Sequence, residues 1–180
     1  MLIGKRVRLR AIEPDDIPRF ATWLNDQEVR QYLTIYLPFS LAEEHNWYDN
    51  MLKRPGEEHP LAIDIKPQTG DWLHVGNIGF NQVDFVNRSA EIGIFIGEKQ
   101  LWNQGYGKDA IVLMVHHGFM NLNLHRIYLH VYESNPRAVH SYEKAGFVHE
   151  GRLRQAKYQN GRYVDVLVMS VLNSEWKNSE

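Results

Sequence analysis

Trp102-Asn103-Gln104-Gly105-Tyr106-Gly107-Lys108-Asp109-Ala110 sits between two runs of different period. Before it, Glu91 to Ile96 alternates as a strand does. After it, Ala110 to Met120 is apolar at helical spacing. A glycine-rich turn at such a junction opens a helix and leaves its first N–H groups without partners. With the helix dipole, those groups form a seat for phosphate oxygens. Lys108 strengthens the reading, because a cation in the first helical turn is unfavourable unless an anion lies nearby.

Upstream, Lys5 to Ile12 alternates and reads as a strand, with Arg6, Arg8 and Arg10 on its polar face. Glu13-Pro14-Asp15-Asp16 starts a helix whose apolar stripe is Ile17, Phe20, Ala21 and Leu24. Ser40-Leu41-Ala42-Glu43 has capping-box spacing and opens a second helix to about Lys53, stopped by Arg54-Pro55-Gly56. Leu61 to Ile65, Leu73 to Phe85 and Ala90 to Ile96 read as an antiparallel meander. Its turns are Pro67-Gln68-Thr69-Gly70 and Val86-Asn87-Arg88. Downstream come the motif helix to about Asn121, a strand from Arg126 to Tyr132, and a short helix over Asn135 to Ala145. A hairpin of Val148 to Tyr158 and Arg162 to Leu172 turns at Gln159-Asn160-Gly161. The expectation is one α+β domain over residues 1–180, with a mixed, mostly antiparallel central sheet and helices on both faces.

The short helix carries its own signals. Asn135 is the cap and Pro136 the first helical residue, while Gly146 suits the left-handed position after the last turn. Tyr142 follows Asn135 by close to two turns, so both can face one groove.

These two segments, with Glu91-Ile92-Gly93-Ile94-Phe95-Ile96 before them, resemble the GCN5-related N-acetyltransferase superfamily over almost the whole chain. The resemblance is strongest to the branch of ribosomal-protein N-terminal acetyltransferases and spermidine N-acetyltransferase. The second motif runs Asn135-Pro136-Arg137-Ala138-Val139-His140-Ser141-Tyr142-Glu143-Lys144-Ala145-Gly146-Phe147. The resemblance implies acetyl-CoA as co-substrate, with no metal. The backbone of Ile94, Phe95 and Ile96 would hold the pantetheine arm. Gln104, Gly105, Tyr106, Gly107 and Lys108 would hold the pyrophosphate, Asn103 and Trp102 would flank it, and Asn135 would contact the arm. Tyr142 would stand beside the thioester sulfur. Trp102 departs from the Gln or Arg common three residues before the first motif glycine, leaving phosphate binding to backbone and Lys108.

The implied reaction is direct acetyl transfer to a primary amine. An ammonium must lose a proton before attack, and Glu91 is the candidate base. Backbone N–H groups near Ile94 and Phe95 would stabilise the oxyanion, and Tyr142 would donate to the departing sulfur. The acceptor is open between a protein N-terminal α-amine, which the branch favours, and a polyamine, amino sugar or amino acid. The loop Arg30 to Ser40 either lines its pocket or seals the core with Tyr32, Leu33, Tyr36, Leu37 and Phe39. It holds few acids, which argues against a polycation.

Composition bounds the rest. A chain of 180 residues, 43% hydrophobic and 23% charged, suits one globular core. A net charge of −2 gives no reason to expect nucleic acid or membrane as partner, and the lack of cysteine removes thiolate nucleophiles and zinc–thiolate sites. A cytoplasmic protein is expected, with the final strands free to pair into a homodimer. Nine histidines show no metal-binding spacing. Gly105-x-Gly107-x-x-Ala110 with Glu133 also fits a dinucleotide fingerprint, but Gly97 to Asn103 separates it from the strand and too few β–α units follow. A non-catalytic acyl-CoA binder is the other rival, against which Asn135 and Tyr142 stand.

Overall fold

The computed structural model describes residues 1–67 and 70–177; Gln68 and Thr69 of the expected turn lie outside the described residues. Eight strands form one sheet: β1 (Leu2–Ile3), β2 (Val7–Ala11), β3 (Leu61–Ile65), β4 (Leu73–Asp84), β5 (Ser89–Ile96), β6 (Arg126–Tyr132), β7 (Val148–Gln159) and β8 (Arg162–Leu172). Their spatial order is β1-β2-β3-β4-β5-β6-β8-β7. Only β5 and β6 run parallel, as a strand–helix–strand crossover requires. The helices are α1 (Ile17–Asn25), α2 (Gln27–Arg30), α3 (Leu41–Met51), α4 (Tyr106–Met120) and α5 (Pro136–Lys144).

Alternation decides which face each strand residue serves. Ala90 and Ile92 of β5, and Ile127, Leu129 and Val131 of β6, pack with Ile111, Met114, Val115 and Phe119 of α4. Helix α4 lies close to the sheet because Gly118 has no side chain. A Cβ there would stand 2.8 Å from Ile127 Cδ1 and Phe80 Cζ. The opposite face holds Ile17, Phe20 and Trp23 of α1, Val29 of α2 and Ala62, with Trp47, Tyr48 and Phe95 against them. Phe20 meets Trp23 and Trp47 edge-on, each at 5.8 Å.

The local signals explain most boundaries. Ser40 and Glu43 form the capping box of α3, and Glu13 with Asp16 forms a second one. Pro14 to Asp16 makes a 3-10 turn, so α1 begins at Ile17 rather than at Pro14. The arginine face of β2 is more specific than its alternation suggests. Arg10 makes a fork to Asp16 at 2.7 and 2.8 Å, and Arg8 and Arg10 share Asp64 Oδ2. These pairs are buried or half-buried and tie β2, β3 and the start of α1 together. Arg6 goes elsewhere, to the motif turn.

One feature of the sheet creates a site. The β5–β6 ladder contains only Ser89 with Arg126, Ala90 with Ile127 and Glu91 with Tyr128. From Ile92 to Ile96, β5 pairs with β4 alone. In an antiparallel ladder, alternate peptide groups point away from the partner. Those of β5 beyond Glu91 therefore face a gap that β6 leaves open.

Candidate functional site

The gap is the floor of a groove of about 1240 Å³. Its walls are the segment before and into α4, the ends of β6, the first turns of α5, the loop after α2, and the final hairpin.

The α4 end of the groove is built as an anion seat. After β5, the N–H of Gly97 bonds Val75 O and a 3-10 turn covers Lys99 to Leu101. Asn103 and Gly105 then take positive φ, at 62° and 84°. The left-handed conformation at Gly105 is cheap only for glycine. It turns the chain so that the helical ladder starts with Asp109 N–H to Gly105 O at 3.0 Å. The N–H groups of Tyr106, Gly107 and Lys108 precede that bond and have no partner within the helix. Among the described residues no side chain caps them.

Arg6, which the sequence reading left on a polar strand face, completes this seat. Its Nε donates to Asp109 Oδ2 at 2.7 Å, its Nη1 donates to Gln104 O at 3.1 Å, and it stacks on Tyr106. Lys108 Nζ lies 3.6 Å from the same Asp109 carboxylate. Asp109 is thus neutralised where it would otherwise repel an anion. No local pattern connects residue 6 with residue 109, so only the fold reveals this pairing.

Trp102 has a structural use at this point. Its indole Nε1 donates to Ile96 O at 2.9 Å, fastening the turn to the end of β5. The Arg137 guanidinium stacks on the ring at 3.8 Å, bridging from α5. Burial lowers the Arg137 pKa from its ordinary value.

Of the residues expected from sequence, Glu91, Ile94, Phe95, Ile96, Trp102, Asn103, Gly105, Tyr106, Gly107, Lys108, Asn135 and Tyr142 all line the groove. Gln104 does not. Its amide turns back to Gln100 O at 2.8 Å, and its carbonyl is held by Arg6. Its side chain is therefore committed to the turn itself.

The cap of α5 forms as the sequence indicates, with Asn135 Oδ1 accepting from Ala138 N–H at 3.2 Å. At the other end, Gly146 takes φ 92°, Phe147 N–H bonds Tyr142 O and Gly146 N–H bonds Glu143 O, both at 3.0 Å. This is the glycine-terminated motif that fixes a helix C-terminus. It holds Tyr142 in place, with Phe147 packed on its ring at 5.7 Å. Tyr142 is buried, and burial together with the charge of Glu91 raises its pKa. Its hydroxyl keeps its proton throughout the physiological range.

Glu91 sits where the parallel ladder ends. It accepts a hydrogen bond of 2.7 Å from His130 Nδ1 on β6. His130 lines the same groove and was not singled out from sequence. The pair is 39 residues apart, so its only sequence signal is matching parity on two adjacent strands.

A further stretch of the wall is made by Tyr32, Leu33 and Thr34. Tyr32 hydroxyl donates to Ser134 O at 3.0 Å and its ring lies against Tyr132. Gln159 Nε2 donates to Gln31 O, which ties this loop to the hairpin. Tyr36 and Leu37 do neither of the things expected of them: both are exposed, at 66% and 75%. Glu133, the ribose acid of the dinucleotide reading, does not line the groove; it is paired with Arg152 at 2.6 Å.

Residues 6–148 match the family model described as acetyltransferase (GNAT) domain. The chain is 31% identical over 176 residues to the spermidine N(1)-acetyltransferase of Vibrio cholerae serotype O1, covering 98% of both proteins. It is 27% identical to the putative ribosomal N-acetyltransferase YdaF of Bacillus subtilis, covering 99% of this chain and 97% of that one. A crystal structure of the Vibrio cholerae spermidine N-acetyltransferase with CoA and spermine superposes with a TM-score of 0.85 at 31% identity. It covers 96% of this chain and 98% of that one. The unpartnered amides of α4, the open edge of β5 and the buried phenol of Tyr142 suit a diphosphate, a pantetheine arm and a thioester sulfur in turn. The chain belongs to the GNAT acetyltransferase family and is an acetyl-CoA-dependent N-acetyltransferase.

Proposed function

We propose that the acceptor is the α-amine of a peptide or protein N-terminus. The observation that carries this is the charge of the groove. Its cationic side chains are Arg6, Lys108, Arg137, Lys144 and Lys157, against the carboxylates of Glu91 and Asp109. Asp109 is already paired with Arg6, and Glu91 is bonded to His130. A polyamine carries several ammonium groups and needs several carboxylates to replace its hydration. This lining supplies none to spare.

The proton balance favours the same class. An α-amine has a pKa of about 7.7–8.0, so roughly a third of it is neutral near pH 7.5, against roughly 0.1% of a lysine-like amine. An α-amine therefore asks less of the base at the mouth of the gap. The aromatic and aliphatic wall of Tyr32, Leu33, Tyr132 and Leu153 suits an uncharged first residue.

When bound, acetyl-CoA supplies an electrophilic carbonyl carbon and a thiolate leaving group. The chain does the rest. The amides of Tyr106, Gly107 and Lys108 hold the diphosphate, with Lys108 and Arg6 adding charge. The free peptide groups of Ile94 to Ile96 align the pantetheine arm as a further strand would. An N–H from this edge aimed at the carbonyl oxygen lowers the barrier by about 3 kcal/mol in comparable sites. Tyr142 donates its hydroxyl to the sulfur. Because it holds its proton more tightly than a thiol, whose pKa is about 8.5, a hydrogen bond to sulfur is its resting contribution.

A second reading, a polyamine acceptor, is favoured by the full-length similarity to the spermidine acetyltransferase. Free-thiol release from acetyl-CoA, compared between a neutral N-terminal peptide and spermidine, separates the two. The proposal expects kcat/KM at least about tenfold higher for the peptide. A reversed ratio sinks it.

A further inference from the structure

We propose that His130 Nε2 is the base that deprotonates the amine, and that Glu91 is its positioning residue. This rests on the reading of the chain as an enzyme that acetylates an amine.

The argument begins with strand geometry. The last parallel pair is Glu91 with Tyr128. His130 lies two residues further along β6, so it shares a face with Tyr128 and hence with Glu91. The β5 residue that would oppose it, by continuing the register by two, is Gly93. Gly93 puts no side chain of its own there, Asn81 Nδ2 lies 3.5 Å from where its Cβ would stand, and the imidazole pairs with Glu91 at 2.7 Å. On the other side, β8 presents Val168 opposite His130, and Tyr128 stands edge-on at 6.0 Å. Among the described residues its ion-pair partner is Glu91.

A carboxylate only accepts, so Nδ1 carries the proton in this bond. In the neutral ring Nε2 then holds the lone pair. Among the described residues Nε2 has no hydrogen-bond partner. The imidazole is 42% exposed and the Glu91 side chain 23%, and both line the groove. A base in the groove wall with its tautomer fixed by a carboxylate and its second ring nitrogen free is the arrangement proton abstraction needs. In the step, an ammonium N–H bond breaks and the proton bonds to Nε2. The electron pair stays on nitrogen and forms the bond to the acetyl carbon as the carbonyl π pair moves to oxygen. When that pair returns, the C–S bond breaks, CoA leaves as the thiolate beside the Tyr142 hydroxyl, and the acylated nitrogen gives its remaining extra proton to water. Partial exposure lets the imidazolium return its proton to water.

The test compares wild type, His130→Gln, His130→Ala and Glu91→Gln on two acceptors: a neutral N-terminal peptide, and a peptide hydrazide whose terminal nitrogen is already neutral. Acetyl-CoA affinity, read by calorimetry, reports whether each variant is folded. At pH 6, where about 1–2% of an α-amine is neutral, His130→Gln should lower kcat on the peptide by about 10- to 100-fold and on the hydrazide by much less. Added imidazole should restore part of the activity of His130→Ala. Glu91→Gln should lower kcat by about tenfold or more while leaving His130 able to act. If His130→Gln is within threefold of wild type while Glu91→Gln is inactive, Glu91 is the base and the proposal fails. Equal losses on both acceptors with no imidazole rescue also overturn it. A wild type that acetylates no amine overturns the underlying reading of the reaction, and the role of His130 with it.

Discussion

Replacing Gly105 by alanine perturbs the anion seat at its hinge. Gly105 has φ 84° and ψ 0°. An L-residue in that conformation costs about 1–2 kcal/mol. The new Cβ would stand 2.9 Å from Arg6 Nη2, so Arg6 must also shift from Asp109 and Gln104. A turn that relaxes to escape the strain must be rebuilt when the diphosphate binds. At 1.4 kcal/mol per factor of ten, the Kd for acetyl-CoA should rise about 5- to 30-fold. A turn that does not relax keeps its affinity but passes the strain to the fold. For a chain of this length that lowers Tm by about 2–8 °C. Glu91, His130 and Tyr142 lie on other elements, so kcat at saturating acetyl-CoA should stay within about threefold. Isothermal calorimetry, thermal melting and steady-state rates read the three quantities. Unchanged Kd together with unchanged Tm, or a fall in kcat at unchanged Kd, would refute the assignment of this turn.

Tyr142→Phe should cut kcat by about 10- to 1000-fold with little change in acetyl-CoA affinity, and unchanged turnover removes the phenol from the chemistry. Because its pKa is raised, wild-type kcat should show no loss from tyrosine ionisation up to about pH 10. Trp102→Phe loses the bond to Ile96 O and much of the Arg137 stacking, about 1–2 kcal/mol together, so KM for acetyl-CoA should rise about 5- to 30-fold; an unchanged KM shows the fastening to be idle. Asp16→Asn breaks the Arg10 fork and should lower Tm by about 5–10 °C at pH 7, read by calorimetry. Burial raises the Asp16 pKa, but Arg10, the Glu13 N–H and His74 outweigh it, and the net shift is downward. A depressed carboxylate stabilises the fold above its unfolded pKa of about 4 and loses that stability as pH falls through the folded value. The acid limb of the Tm profile below about pH 4 should therefore be shallower in Asp16→Asn.

How much of this was legible depends on the range of the interaction. Leu61–Ile65, Arg126–Tyr132 and Arg162–Leu172 are bounded as their alternation indicates, because a strand's period and its turn residues are local. The two caps, Ser40 and Asn135, are equally local. The short α2 was missed; Asp26 caps it, but four residues are too few to show a period. The two-residue β1 escaped for the same reason. The glycine turn before α4 is readable because Gly105 needs its own φ and the amides are its neighbours. The gap beside β5 was not, since pairing stops after Glu91 for reasons held by another strand. Arg6 with Asp109, and Glu91 with His130, join residues that only the sheet order brings together. The charge balance of the groove, on which the acceptor reading rests, is a property of its whole wall. No single stretch of the chain displays it.

A crystal structure of this chain with acetyl-CoA bound tests the central claim most directly. The account predicts the diphosphate on the amides of Tyr106, Gly107 and Lys108, the pantetheine arm along Ile94 to Ile96, and the sulfur within hydrogen-bonding reach of the Tyr142 hydroxyl. Acetyl-CoA bound outside the gap between β5 and β6, or with its sulfur remote from Tyr142, would contradict it.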